Sequence, residues 1–155
     1  MFSHISLGVK DYQKTIKFYR ETLKILFKDD TENVEEGIFE PAYQEGVLVY
    51  PGLKFFNFYS DEHFTGLTFE DLTYGVKDPL EHKDYGSPKG FHIAFKAKSK
   101  EDIDSWYKKA LELGGTDNGP PGPRPMYGSD YYGAFVIDPS GYRIETCFLE
   151  QNGQS

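Results

Sequence analysis

HISLGVKDYQKTIKFYRETLKI, residues 4–25, and HIAFKAKSKEDIDSWYKKALEL, residues 92–113, are two copies of one pattern. A shift of 88 residues superimposes them without a gap, and five pairs are identical: His4/His92, Ile5/Ile93, Lys10/Lys98, Tyr19/Tyr107 and Leu23/Leu111. Each copy alternates apolar and polar residues and then changes to a helical period, so each predicts a strand followed by a helix. In residues 2–9 the side chains of Ile5, Leu7 and Val9 share one face, and His4, Ser6 and Gly8 the other. Asp11 is placed to cap a helix whose stripe is Tyr12, Ile16, Tyr19, Leu23 and Leu26. In the second copy Phe91, Ile93 and Phe95 form the apolar strand face, opposite His92 and Ala94. Ser99 with Asp102 resembles a capping box, and Ile103, Trp106, Tyr107, Ala110 and Leu111 form the helical stripe that Gly114-Gly115 ends.

Working outward, residues 131–137 predict a strand, Asp138-Pro139-Ser140-Gly141 a turn and residues 142–148 a second strand, giving a closing hairpin. NGPPGPR, residues 118–124, reads as a Pro/Gly loop before it. In the first half, residues 46–50, 53–59 and 72–76 are candidate strands, and EHKDYGSPKG, residues 81–90, is a polar linker. The acidic stretches at residues 29–36 and from Asp138 onward read as solvated loops. The expected organisation is a single domain over residues 1–155, with one module at about 1–80 and a second at about 90–150.

The chain's 155 residues suffice for one core, and the 17% aromatic content predicts an interior rich in Phe and Tyr. A net charge of -8 argues against nucleic acid or an anionic membrane as partner. One cysteine, Cys147, excludes an intramolecular disulfide and a cysteine-based zinc cage. The sequence shows neither a signal-peptide pattern nor an apolar run of membrane-spanning length, so a cytoplasmic protein is expected.

Strand parity carries the chemistry. His4 and His92 lie on the faces opposite their apolar residues, and in the last strand Arg143, Glu145 and Cys147 lie opposite Ile144 and Phe148. If the two sheets curl toward each other, those faces line one cup. Two neutral imidazoles and a carboxylate suit a borderline divalent ion such as Zn, Ni, Mn or Fe and leave positions open for substrate. The alternative is that each histidine is a hydrogen-bonded strand residue, but their equivalence in the repeat favours a shared site.

At these residues the chain resembles the vicinal oxygen chelate superfamily, which groups glyoxalases, bleomycin-resistance proteins and dioxygenases. HISLGVKDYQKTIKFYRETL resembles its opening strand and helix, GFHIAFKAKS its second metal-bearing strand, and DNGPPGPRPMYGSDYYGAFVIDPSGYRIE the closing segment of a glyoxalase-like subgroup. A histidine common in that subgroup's closing loop is replaced here by Gly128. The resemblance implies an α+β fold: two tandem βαβββ modules forming a cup-shaped mixed sheet around a metal held by His4, His92 and Glu145. It also implies a homodimer acting on a small molecule. Lactoylglutathione lyases of the family add a fourth ligand from the last strand of the first module. DLTYGVKD, residues 71–78, is the matching stretch by rough alignment, and Leu72, Thr73, Tyr74, Gly75 and Val76 are poor ligands. A literal shift of 88 from Glu145 gives Asn57 instead.

Two classes of function follow. One is a metal-dependent enzyme, lactoylglutathione lyase-like or extradiol dioxygenase-like, with Glu145 at the reacting centre. The other is a non-catalytic drug-binding protein of the bleomycin-resistance type, whose members generally lack the ligand set. Arg124, Tyr127, Tyr131 and Tyr132 are available to close over a substrate, with Arg124 on an anion, or are packing tyrosines and a solvated cation. Arg143 is placed either to bind a substrate anion or to pair with Glu145. Cys147 reads as a small core residue before it reads as a nucleophile. His63 and His82 lie in polar segments and read as surface residues.

Overall fold

A computed structural model describes residues 4–9, 11–27, 34–39, 42–45, 47–50, 53–60, 65–71 and 86–149. The fold is α+β and repeats itself. The first half contains β1 (His4–Val9), α1 (Tyr12–Phe27), β2 (Val34–Phe39), β3 (Ala42–Gln44), β4 (Val47–Tyr50), β5 (Leu53–Ser60) and β6 (Thr65–Asp71). The second contains β7 (Ile93–Lys96), α2 (Lys100–Glu112), β8 (Thr116–Pro123), β9 (Tyr131–Ile137) and β10 (Arg143–Leu149). One four-stranded sheet has the order β1-β6-β5-β2 and the other β7-β10-β9-β8, which is the same topology. In each, the strand before the helix pairs parallel with the last strand, and the remaining pairs are antiparallel. The β3–β4 hairpin is an addition to the first half.

By contacts the chain divides into two units, Met1–Ile16 with Asp29–Tyr85 and Lys17–Lys28 with Gly86–Ser155. The division does not follow the repeat, because α1 begins in the first unit and its later turns pack in the second. Within the second unit Phe27 meets Phe95 of β7 edge-on at 6.1 Å. A side chain at Gly115 would lie 3.2 Å from the Phe18 ring, so that ring packs closely on the end of α2.

Both helices start, and α2 stops, as their sequences dictate. The Asp11 carboxylate accepts from Lys14 N at 3.1 Å, and its carbonyl accepts from Thr15 N at 2.9 Å. All five stripe residues of α1 are buried. Ser99 caps α2, accepting from Asp102 N at 3.1 Å. Ile103, Trp106 and Ala110 are buried beneath it, whereas Leu111 is exposed and leaves the expected stripe. Gly114 takes φ 94° at the end of α2. Gly114 N bonds Leu111 O at 3.2 Å and Gly115 N bonds Ala110 O at 2.9 Å, a Schellman stop that a side chain at Gly114 would strain. No helix among the described residues is long and apolar enough to cross a membrane.

Several expectations are corrected. Residues 118–124 are not a free loop: Thr116–Pro123 is β8, an irregular edge strand on β9 whose register shifts at Asp117/Gly119 and Gly119/Gly122. Proline is tolerated there because an edge strand has one side with no ladder partner. Val34–Phe39 forms β2 where a solvated acidic loop was expected to reach Glu36. Strand β6 was not anticipated, and the candidate strand at 72–76 lies outside the described residues, as do His63, His82 and the first half of the linker, residues 81–85. Phe91 is exposed and precedes β7 rather than packing within it.

Asp138 is not solvated either. It is 4% exposed and organises the hairpin turn, its Oδ1 accepting from Ser140 N at 2.8 Å and Tyr142 N at 2.9 Å. The buried Tyr19 hydroxyl donates to its Oδ2 at 2.6 Å. Burial raises the Asp138 pKa above the ordinary carboxylate value, while the hydrogen bonds from Tyr19 and the turn amides oppose the rise. Burial, then the charge of Asp138, raises the Tyr19 phenol well above its usual value. A carboxylate with a raised folded pKa contributes most to stability when protonated, and that contribution is lost as pH rises through the folded value. Removing the Tyr19 hydroxyl raises that value further. Tyr19→Phe is therefore expected to lose about 1.5–3 kcal/mol at neutral pH, and less as pH falls toward the ordinary carboxylate range. Urea unfolding of both proteins at several pH values checks this; a pH-independent gap would contradict it.

Candidate metal centre

Strand β10 lies between β7 and β9, so a β10 residue has a neighbour on each side. Glu145 stands beside Ala94 of β7 and Phe135 of β9. Its side chain is 4% exposed, and a buried carboxylate is costly unless both oxygens are engaged. They are. Oε2 lies 2.9 Å from His92 Nε2, and Oε1 accepts a short hydrogen bond from the Tyr131 hydroxyl. His92 lies one residue before β7, with its side chain 49% exposed, so the pair runs from the interior to solvent.

The approach to His92 is fastened at its root. Arg143 N donates to Ser87 Oγ at 3.0 Å, the Arg143 guanidinium donates to the Ser87 carbonyl, and Ser87 N donates to Gly141 O at 3.1 Å. Gly86 takes φ 83° at this junction, and a Cβ on it would lie 2.5 Å from the Gly141 carbonyl oxygen. Only glycine allows that approach. Arg143 thus braces the lead-in to β7, while His92 and Tyr131 occupy the partner positions on Glu145.

The remaining expected site residues lie around this pair or apart from it. The Arg124 guanidinium donates to the carbonyls of Pro120 at 2.6 Å and Pro123 at 3.2 Å. Its carbon sits 5.6 Å from the Phe135 ring centre, and the Phe135 ring is 6.3 Å from the His92 ring. Arg124 thus lies over the Phe135 ring, and the His92 ring meets Phe135 edge-on. Tyr127 is 62% exposed and meets Tyr131 edge-on at 5.4 Å. The Tyr132 hydroxyl donates to Asp104 of α2 at 2.8 Å, a helix-facing role that follows from its parity in β9. Cys147 is half-buried, opposite Gly133. Burial, then hydrogen bonding to Glu145 and Cys147, raises the Tyr131 phenol well above its usual pKa.

His4 lies in β1, at the repeat position of His92, opposite Gly66 of β6. Its side chain lies outside the described residues, so of the three expected ligands the structure brings together His92 and Glu145. Among the described residues no three His, Cys, Asp or Glu side chains cluster.

The internal register also relocates the fourth position. Ile5 faces Leu67, and its equivalent Ile93 faces Ile144. One residue further on, Glu145 is matched by Thr68. The position thus lies in β6 rather than in residues 72–76, and a hydroxyl residue occupies it. Asn57 belongs to β5 and pairs with Thr68 as Phe135 pairs with Glu145.

Phe135 is a neighbour of the site that the sequence did not point to, and Tyr131, expected only as a residue closing over a substrate, proves to be a direct partner of Glu145. Phe135 was findable, because a hairpin closed at Asp138–Tyr142 sets it opposite Glu145. The Tyr131 contact was not, because it depends on a side chain leaning along the strand.

A family model described as Glyoxalase/Bleomycin resistance protein/Dioxygenase superfamily matches residues 1–146. Among solved structures, the chain is similar to a glyoxalase/bleomycin resistance protein from Albidiferax ferrireducens T118. That likeness has 23% identity and a TM-score of 0.63, covering 96% of this chain and 98% of that one. A glyoxalase-related enzyme from Fulvimarina pelagi shares 14% identity at a TM-score of 0.60, covering 96% and 87%. A glyoxalase/bleomycin resistance protein/dioxygenase family enzyme from Burkholderia phytofirmans PsJN shares 16% at a TM-score of 0.56, covering 95% and 97%. These identities speak to the fold alone. A search of curated proteins gave no match.

Proposed function

We propose, from the premise that this chain belongs to the Glyoxalase/Bleomycin resistance protein/Dioxygenase superfamily, that it is an enzyme binding a small oxygen-bearing substrate at one divalent ion. His4, His92 and Glu145 would hold the ion. The observation that carries the reading is the buried Glu145 carboxylate with one oxygen 2.9 Å from His92 Nε2. The two atoms are close enough together to serve as ligands of one ion, and an imidazole nitrogen and a carboxylate oxygen are both donors that such an ion takes. His4, at the repeat position of His92, completes a set of two imidazoles and one carboxylate suited to Zn, Ni, Mn or Fe.

Such an ion supplies Lewis acidity toward substrate oxygens. The chain's own groups do the rest. Glu145 and the histidines keep the substrate's oxygens at one place. The Phe135 ring edge-on to His92, with the Arg124 guanidinium over its face, gives the surroundings of His92 an aromatic and cationic character. Thr68 stands at the position matching Glu145, so a hydroxyl and not a second carboxylate occupies that place in β6. That favours extradiol dioxygenase-like chemistry over lactoylglutathione lyase-like chemistry.

Elemental analysis of the purified protein beside His4→Ala tests the metal. About one ion per chain is expected in the first and a marked loss in the second. Absence of Zn, Ni, Mn and Fe from both would sink the reading. Oxygen uptake on catechols would support the dioxygenase-like form, and isomerisation of the methylglyoxal–glutathione hemithioacetal would overturn the argument from Thr68.

A further inference from the structure

Glu145 uses its two oxygens differently, and the difference has a cause in β9. Oε2 is directed to His92, while Oε1 is taken by the Tyr131 hydroxyl. The contact is not one of strand neighbours. Tyr131 stands opposite Leu149, and Glu145 stands opposite Phe135. The two positions are four residues apart along the hairpin, about 13 Å. That span closes only if the two side chains lean toward each other. The residue between them on that face is Gly133, opposite Cys147. A Cβ on Gly133 would lie 3.2 Å from Tyr131 Cε1, 3.3 Å from the Thr146 carbonyl oxygen and 3.5 Å from Glu145 Oε1. Gly133 is not among the positive-φ glycines, so what it contributes is space rather than backbone freedom.

We infer that Tyr131 is a positioning residue that fixes Glu145 as a one-oxygen metal ligand, and that Gly133 is the gap through which it reaches. This rests on the metal reading above. With Oε1 committed to the phenol, one oxygen remains for the ion, and the carboxylate cannot swing to grip it with both. The site keeps its open positions for substrate. A hydrogen bond to the outer oxygen of a ligating carboxylate also orients it before the ion arrives, and loss of such supports costs about 10–100-fold in metal affinity.

The test uses the full chain, stripped of metal and titrated with Zn²⁺ against a chromophoric chelator, and separately loaded with Co²⁺ for its visible spectrum. Wild type, Tyr131→Phe and Gly133→Val are compared. Tyr131→Phe is expected to bind Zn²⁺ about 10–100-fold more weakly and to show a fainter Co²⁺ band, as a second carboxylate oxygen joins the ion. Its metal-free melting temperature is expected to fall by no more than about 10 °C, with a single cooperative transition kept, which separates positioning from a general loss of structure. Gly133→Val, which blocks the reach without removing the hydroxyl, is expected to lose affinity similarly. Wild-type affinity and spectrum in Tyr131→Phe would overturn the inference. Wild-type affinity in Gly133→Val alone would overturn the part given to Gly133. A wild-type chain that binds neither ion would overturn the metal reading itself.

Discussion

Glu145→Ala is expected to weaken divalent-metal binding by more than about 100-fold, since removing a direct ligand costs more than the 10–100-fold of losing a supporting group. The substitution takes away the sole carboxylate of the proposed donor set. It also leaves His92 and Tyr131 without the group that orients them. Folding should suffer much less. His92 is half-exposed and the Tyr131 phenol only part-buried, so water can replace Glu145 as partner of both. Taking away a buried carboxylate also removes its own desolvation cost. The metal-free variant should therefore fall within about 1 kcal/mol of wild type. Glu145→Gln keeps an amide oxygen of similar shape and should lie between the two in affinity. Chelator competition and urea unfolding, run side by side, report both quantities. An alanine variant that binds metal as wild type does would remove Glu145 from the site.

The largest expected loss of stability is at Trp106. It is 1% exposed on the buried face of α2, and Ala would leave a cavity there. Phe/Trp→Ala changes in cores cost about 3–5 kcal/mol. Trp106 carries a further peculiarity: its indole Nε1 is the one buried side-chain nitrogen or oxygen among the described residues without a hydrogen-bond partner. A buried unpaired donor costs about 1–3 kcal/mol, so Trp106→Phe recovers part of what it loses in volume. Its net cost is expected to be about 1–2 kcal/mol. Urea unfolding of both variants with unchanged m-values checks the pair. A Trp106→Ala cost under about 1 kcal/mol would mean that the pocket collapses around the smaller side chain.

Much of this was legible in the sequence because the repeat is densest where the fold is most constrained. A strand that must cover a helix and a helix that must cover a strand leave little freedom. Phe18 and Trp106, and Thr22 and Ala110, all buried, therefore fall at equivalent positions without a gap. Both caps and the closing hairpin were readable for a similar local reason, since Asp11, Ser99 and Asp138 each bond to amides a few residues away. What escaped was set by distant residues. Strand β8 is rich in Pro and Gly and is a strand only because β9 lies beside it. Strand β6 was missed because the first half is longer: Ile5 to its partner Leu67 spans 62 positions (67 − 5), and Ile93 to Ile144 spans 51 (144 − 93). The β3–β4 hairpin falls within the longer interval, so a fixed shift of 88 from Glu145 lands on β5. Of the proposed ligand set, residue types and parity pointed to His92 and Glu145 together. The hydroxyl on the far oxygen could not be read, because side-chain lean has no period.

Helix α1 has a consequence for how this chain could have arisen and how it can be cut. Its first turns lie in one unit, and the turns carrying Phe18, Tyr19 and Phe27 lie in the other. A gene encoding only residues 86–155 would begin at the repeat boundary, yet its product would lack the phenol that satisfies Asp138 and the ring that meets Phe95. The duplicated halves are thus no longer interchangeable spare parts. Fission at the linker separates the two copies of the pattern but not two self-sufficient proteins, and a split version should regain its structure only when both fragments are present together.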